Sequence, residues 1–212
     1  MIFHFRKLSF MKSNELNKAL LHLSQHDNKL QALIKKHGHC NLQPKRKYFN
    51  ALLDSIISQQ LSVLAARSIN KKLYGYFNGT INPEIILNTP HQILRSLGLS
   101  NAKVKYVKDL SEKILNKSIT FRGINNKTNI QIIELLTTVK GIGIWTAHMF
   151  LIFSLVRLDI LPVNDFGIRK AVMLNYGFTY LPSVQEVTDI ANINNWSPYE
   201  TIASWYMWRS LE

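Results

Sequence analysis

The chain is predicted to be all-α, and three observations carry that prediction. Apolar residues recur at helical spacing in segment after segment, capping residues and glycines punctuate those segments, and strand-like alternation is confined to residues 178–181. The first segment, residues 14–37, places Leu16, Leu20, Leu23, Leu30, Leu33 and Ile34 on a helical period with a break near Asp27-Asn28, and Gly38 ends it. After a polar, basic connection through Pro44, residues 48–77 read as one or two helices with Phe49, Leu52, Leu53, Ile56, Ile57, Leu61 and Leu64 on the apolar face. Asn82-Pro83 starts a short helix, since proline is well placed in a first turn, and Thr89-Pro90 starts another that ends at Gly98. Ser100 caps a helix over residues 101–115. Residues 116–130, rich in Asn, Lys and Thr, form a loop, and residues 130–136 lead into a Gly-Ile-Gly turn. Helices over 144–155, 166–175, 183–193 and 199–211 complete the chain.

With 212 residues the chain can bury a sizeable core, as one domain or two apposed ones. Lys and Arg number 26 against 13 Asp and Glu, a formal +13, which favours a polyanionic partner through counterion release. Charge alone leaves a ribosome-associated or merely basic protein open. Ten Phe, eight Tyr and four Trp suit a protein that packs a core and stacks bases. The single cysteine, Cys40, excludes an internal disulfide and a multi-cysteine metal site. The apolar run over 149–156 is too short to cross a bilayer. The N-terminal segment lacks a signal-peptide pattern, so an intracellular location is expected: cytoplasmic, at the nucleoid in a bacterium, or nuclear in a eukaryote. Met11 is an alternative start, and residues 1–12 are expected to be a flexible extension ahead of a functional domain over 13–212.

The densest signal lies in residues 136–165. Gly141 and Gly143 flank one apolar residue between two helical segments, an arrangement that turns the backbone tightly and exposes consecutive N–H groups at a helix start. Such groups suit a phosphate, and Thr146 can satisfy a free N–H or touch one. A lone Gly-x-Gly is as often an ordinary turn between helices. Asp165 follows in Pro-Val-Asn-Asp, just ahead of Phe-Gly-Ile-Arg-Lys, where it reads as a helix N-cap. A helix N terminus favours an ionised carboxylate, so a cap and a catalytic carboxylate can be the same residue.

The segment Leu136-x-x-Val139-x-Gly-Ile-Gly-Ile-x-Thr-Ala resembles the DNA-binding hairpin of the helix-hairpin-helix–GPD superfamily of DNA repair glycosylases. The likeness runs in order over residues 15–209. Ile56-Ile57-Ser-Gln-Gln-Leu-Ser is similar to the segment that presses into the DNA stack. Asp165 stands where the family has its catalytic aspartate, and Trp196-Ser-Pro-Tyr with Ala203-Ser-Trp-Tyr-Met-Trp-Arg is similar to the C-terminal signature. Within the superfamily the 3-methyladenine DNA glycosylase II branch is the nearest likeness. The resemblance implies a two-lobed helical bundle, the first helices joining part of the tail in one lobe, with a cleft between the lobes. It implies excision of alkylated purines (3-methyladenine and 7-methylguanine) from double-stranded DNA by base flipping, leaving an abasic site. The enzyme is expected to act as a monomer away from membranes.

The resemblance also assigns residues. Asp165 assists loss of the base, and Gly141, Gly143, Ile144 and Thr146 hold a phosphate. Gln59, Gln60 and Leu61 form the wedge, with Gln60 at its tip. Trp145, Met149 and Trp196 wall the base pocket, whereas Trp205 and Trp208 are read as core. Superfamily members that also cut the strand carry a lysine immediately before the Thr-Ala after the hairpin; Trp145 stands there, so a monofunctional hydrolase is expected. A π-face also suits a cationic base. The backbone carbonyls of Thr137, Val139 and Ile142 are expected to hold a sodium or potassium ion, and one cysteine rules out the four-cysteine iron–sulfur cluster of some relatives. Lys103, Lys105, Lys108, Arg169 and Lys170 are candidate phosphate contacts. A glycosylase for hypoxanthine, uracil or an oxidised purine, and a non-catalytic DNA-binding module, remain as alternatives.

Overall fold

The computed structural model describes residues 13–212; the N-terminal extension and the choice between Met1 and Met11 lie outside the described residues. Among the described residues there are twelve α-helices and no strand. The described chain forms two compact units, one of residues 13–44 with 156–212 (the terminal unit) and one of residues 45–155 (the middle unit).

The terminal unit opens with α1 (Ser13–His26) and α2 (Asn28–His37). They are separate helices because Asp27 caps the second: its Oδ1 accepts the N–H groups of Lys29 and Leu30 at 2.8 and 3.0 Å. The later part of the chain adds α10 (Phe166–Tyr176), α11 (Val184–Ile193) and α12 (Glu200–Arg209). Ser183 and Glu186 close a capping box at the start of α11. Leu23, Leu30, Ile168, Val172, Ile202 and Tyr206 form its core, and each fully buried aliphatic side chain contributes about 1.5–3 kcal/mol relative to exposure.

The middle unit holds α3 (Tyr48–Ser58), α4 (Val63–Tyr76), α5 (Pro83–Asn88), α6 (His91–Ser96), α7 (Asn101–Leu115), α8 (Asn129–Thr137) and α9 (Ile144–Phe150). Residues 48–77 thus divide into two helices. The division falls at Gln60, whose φ of 55° is left-handed, and Ser62 caps the second helix through the Ala65 N–H. Asn82, Ser100 and Thr128 cap α5, α7 and α8. The expected loop over 116–130 contains a short 3-10 turn, Ile124–Asn126. The expected helix over 144–155 changes character: α9 gives way to a π-helical turn, Leu151–Leu155, that ends at Val156 with φ of 54°. Such π-turns are rare and concentrate where side chains are re-aimed at functional sites. No helix of the described residues is long and apolar enough to cross a membrane.

Candidate functional site

Asp165 begins α10. A tight turn brings its own N–H to the Pro162 carbonyl at 2.8 Å, and its Oδ1 accepts the Ile168 N–H at 2.9 Å, so the expected N-cap is present. A second donor reaches the same oxygen: the indole N–H of Trp208, on α12, at 2.8 Å. Trp208 therefore does more than pack a core, since with the backbone it fixes the orientation of the carboxyl group. Gly167 leaves room for this, because a Cβ there would lie 3.0 Å from Asp165 Oδ1 and 3.1 Å from the Trp208 ring. Nothing local in the sequence marks Trp208, which is 43 residues from Asp165. The result is a half-buried, orientated carboxyl at the positive end of a helix dipole.

The hairpin is α8, the turn 138–143 and α9. Gly141 is required twice over: its φ is +83°, and a Cβ would fall 2.2 Å from the ring of Tyr106 on α7. Gly143 differs. Its φ is −96° and a Cβ would meet nothing within 4 Å, so tight turning demands glycine at only the first of the two positions. Gly143 and Ile144 are exposed at the start of α9, the end of a helix toward which its first N–H groups point. One turn of α7 from Tyr106, Asp109 accepts the backbone N–H of Lys140 at 2.9 Å and ion-pairs with Lys113 at 3.0 Å. Burial alone would push this carboxyl up, but the Lys140 N–H and the Lys113 and Lys140 charges together hold it below its ordinary range. A proline at 140 would have no N–H to give.

The third support corrects an expectation. Gln59 does not belong to a DNA-facing wedge: its side-chain amide donates to the Gly141 carbonyl at 2.7 Å and to Thr146 Oγ1 at 3.4 Å. Thr146 is likewise turned inward, 3 % exposed, and so is a buried brace rather than a phosphate contact. Gln60 and Leu61 are exposed at the turn after α3. Lys103 anchors that turn, its ammonium donating to the carbonyls of Ile57 at 2.6 Å and Gln59 at 2.8 Å. Two more of the candidate phosphate contacts are committed to carbonyls, Lys108 to Leu87 at 2.8 Å and Arg169 to Pro182 at 2.7 Å. Lys105 and Lys170 are exposed.

The expected pocket trio separates. Trp145 is 41 % exposed at the start of α9, whereas Trp196 is fully buried in the core of the terminal unit. Its indole N–H donates to Asp27 Oδ2 at 2.8 Å, and the Tyr176 hydroxyl donates to the same oxygen. Trp196 is thus not a pocket wall but a partner of the buried Asp27, which caps α2 with its other oxygen. Trp196→Phe should therefore lower stability by about 1–3 kcal/mol, through an under-satisfied buried acceptor, and leave base choice unchanged. Thermal melts and a comparison of released bases check both parts, and an altered base spectrum without destabilisation would return Trp196 to the pocket.

Met149 lines a cavity of about 180 Å³ inside the middle unit. Ser55 and Ser58 of α3 line it with Phe150 of α9 and Phe153 of the π-helical turn. Asp54 also lines it; the sequence could have flagged this carboxylate, which interrupts the apolar run Leu52-Leu53-Asp54-Ser55-Ile56-Ile57.

The pattern of the HhH-GPD superfamily of base excision DNA repair proteins matches residues 53–192, which include the α3 turn, the braced hairpin and Asp165. The chain belongs to this superfamily. An alkylbase DNA glycosidase-like protein of Schizosaccharomyces pombe is 32% identical over 204 residues, covering 93% of this chain and 95% of the relative. The DNA-3-methyladenine glycosylase 1 of the same yeast is 32% identical over 92% of this chain and 87% of its own. Among solved structures, the 3-methyladenine DNA glycosylase of Schizosaccharomyces pombe in complex with abasic DNA is similar with a TM-score of 0.81 and 33% identity, covering 91% of this chain and 96% of that one. A DNA-3-methyladenine glycosidase of Bacillus halodurans has a TM-score of 0.79 and 31% identity over 91% and 88% of the two chains. As a superfamily member, the chain carries its hairpin and its aspartate on separate, individually braced elements.

Proposed function

We propose that this superfamily member is a monofunctional DNA glycosylase that hydrolyses the N-glycosidic bond of alkylated purines, 3-methyladenine and 7-methylguanine, and leaves an abasic site. The observation that carries the reading is the orientated Asp165 carboxyl, held by two donors on one oxygen at a helix N terminus. The relatives named as 3-methyladenine glycosylases support the substrate class, and the yeast complex with abasic DNA supports the partner and product.

As the base departs, positive charge develops on the sugar, and a fixed carboxylate lowers the energy of that oxocarbenium-like state. The same group can orient the water that attacks it. Trp145 supplies no amine where strand-cleaving relatives have lysine, so no imine forms at that position. The first-turn amides of α9 bind a backbone phosphate, Gln60 and Leu61 enter the stack, and the extruded base is received by the cavity that Met149 lines. The carbonyls of Thr137, Val139 and Ile142 would hold a monovalent cation: Thr137 ends α8, whose last carbonyls carry negative partial charge, and Val139 O, which accepts the Ile142 N–H at 3.0 Å, has a second lone pair to offer. Such an ion would stiffen the turn and add positive charge near the phosphate.

The test is incubation with duplex DNA treated with a methylating agent, the released bases being identified by mass. Release of 3-methyladenine and 7-methylguanine, with no borohydride-trapped protein–DNA adduct, is expected. Release of neither base overturns the substrate, and a trapped adduct overturns the monofunctional mechanism.

A further inference from the structure

We infer that Asp54 makes the cavity of the middle unit selective for positively charged bases over neutral ones. The inference rests on the reading that this cavity receives the extruded base.

The cavity, about 180 Å³, suits one planar ring system; an engineered cavity of roughly 150 Å³ in another protein takes up benzene. Met149, Phe150 and Phe153 give its wall an apolar part, and Ser55, Ser58, Thr146 and Ser154 add neutral side chains that carry hydroxyls. Asp54 supplies a carboxyl group. Its Oδ1 accepts the Tyr74 hydroxyl at 3.2 Å, and Tyr74 in turn accepts from the Asn50 amide at 3.1 Å. This chain of neutral donors orients the carboxyl without compensating its charge. Lys45 lines the cavity too, but no described cation comes within ion-pairing distance of Asp54. Burial therefore dominates: it pushes the carboxyl above its ordinary value, against the smaller pulls of the Tyr74 bond and the Lys45 charge.

An acid group in that condition is short of a cation, and alkylation at a ring nitrogen creates one. A 7-methylguanine or 3-methyladenine nucleotide carries a delocalised positive charge on its ring, and its unmodified counterpart is neutral. Both present hydrogen-bond donors to an acceptor in the wall. The aromatic faces favour the cation modestly and the hydroxyl groups are neutral, so the charge of Asp54 is the strongest feature that separates the two bases. Lys45 opposes it, and the balance of the two sets the strength of discrimination.

The test measures binding to two duplexes that cannot be cleaved, one with 2′-fluoro-7-methylguanosine and the other with 2′-fluoroguanosine. The wild-type chain should bind the cationic duplex more tightly. Asp54→Asn preserves shape and an oxygen for Tyr74, and should reduce that preference by about tenfold or more. Lys45→Met should increase it. Opposite shifts from two wall residues would not arise from a merely structural role, and thermal melts exclude misfolding as their cause. An unchanged preference in Asp54→Asn, or no preference in the wild type, overturns the inference. Because binding is read without excision, the outcome is independent of whether methylated DNA releases its bases, the measurement that tests the function itself.

Discussion

Asp165→Asn is expected to lower base release from methylated duplex DNA by on the order of 10³-fold, with the melting temperature and affinity for an abasic duplex almost unchanged. The structure explains why the two effects separate. Two hydrogen bonds to Asp165, from the Ile168 N–H and the Trp208 indole, end on Oδ1. An asparagine oxygen accepts both, so the cap of α10 and the place of Trp208 survive. The substitution removes the charge, which on the proposed function is what the oxocarbenium-like state needs. Asp165→Ala gives the contrast: it removes the cap at a cost of about 1 kcal/mol and leaves the indole N–H without that acceptor. Single-turnover base release, thermal melting and binding titrations measure the three quantities. Excision retained in the asparagine variant would remove Asp165 from the chemistry.

Gly141→Ala is expected to have the largest effect on the hairpin. The backbone at φ +83° costs a non-glycine residue about 1–3 kcal/mol, and the new Cβ would fall 2.2 Å from the Tyr106 ring. Something must shift, and little can. Tyr106 belongs to α7, Asp109 of the same helix holds the Lys140 N–H, and Gln59 holds the Gly141 carbonyl. Affinity for duplex DNA should fall together with melting temperature. Adding Tyr106→Ala should recover the part due to the ring and not the part due to φ. Gly143→Ala, with φ of −96° and open space for a Cβ, should be nearly silent in stability. Equal damage from the two glycine variants would show that the ring contact does not set the turn.

The Trp-Thr-Ala run after the hairpin illustrates what one dimension can and cannot reveal. The absence of a lysine at 145 is legible in the sequence itself. Where the side chains go is not: Trp145 is exposed, Thr146 is buried against Gln59, and Met149 reaches a cavity that Trp145 does not line. Helical period alone gives these residues faces but no neighbours. The candidate cations show the same limit. Lys103, Lys108 and Arg169 contribute to the charge of +13, yet each donates to a specified carbonyl of its own unit.

By itself the sequence determined the all-helical class, most helix boundaries, the hairpin and the aspartate. These depend on local physics: apolar period, caps such as Ser100 and Thr128, and a glycine turn, all acting over a few residues. Only the tertiary structure decided that Trp196 serves the buried Asp27, 169 residues away, and that Gln59 braces the hairpin 82 residues on. It alone revealed Trp208 on Asp165 and Asp54 in a cavity wall. Those partnerships are set by how helices distant in the chain pack, where a one-position rotation of a helix exchanges one neighbour for another and no local pattern records the choice.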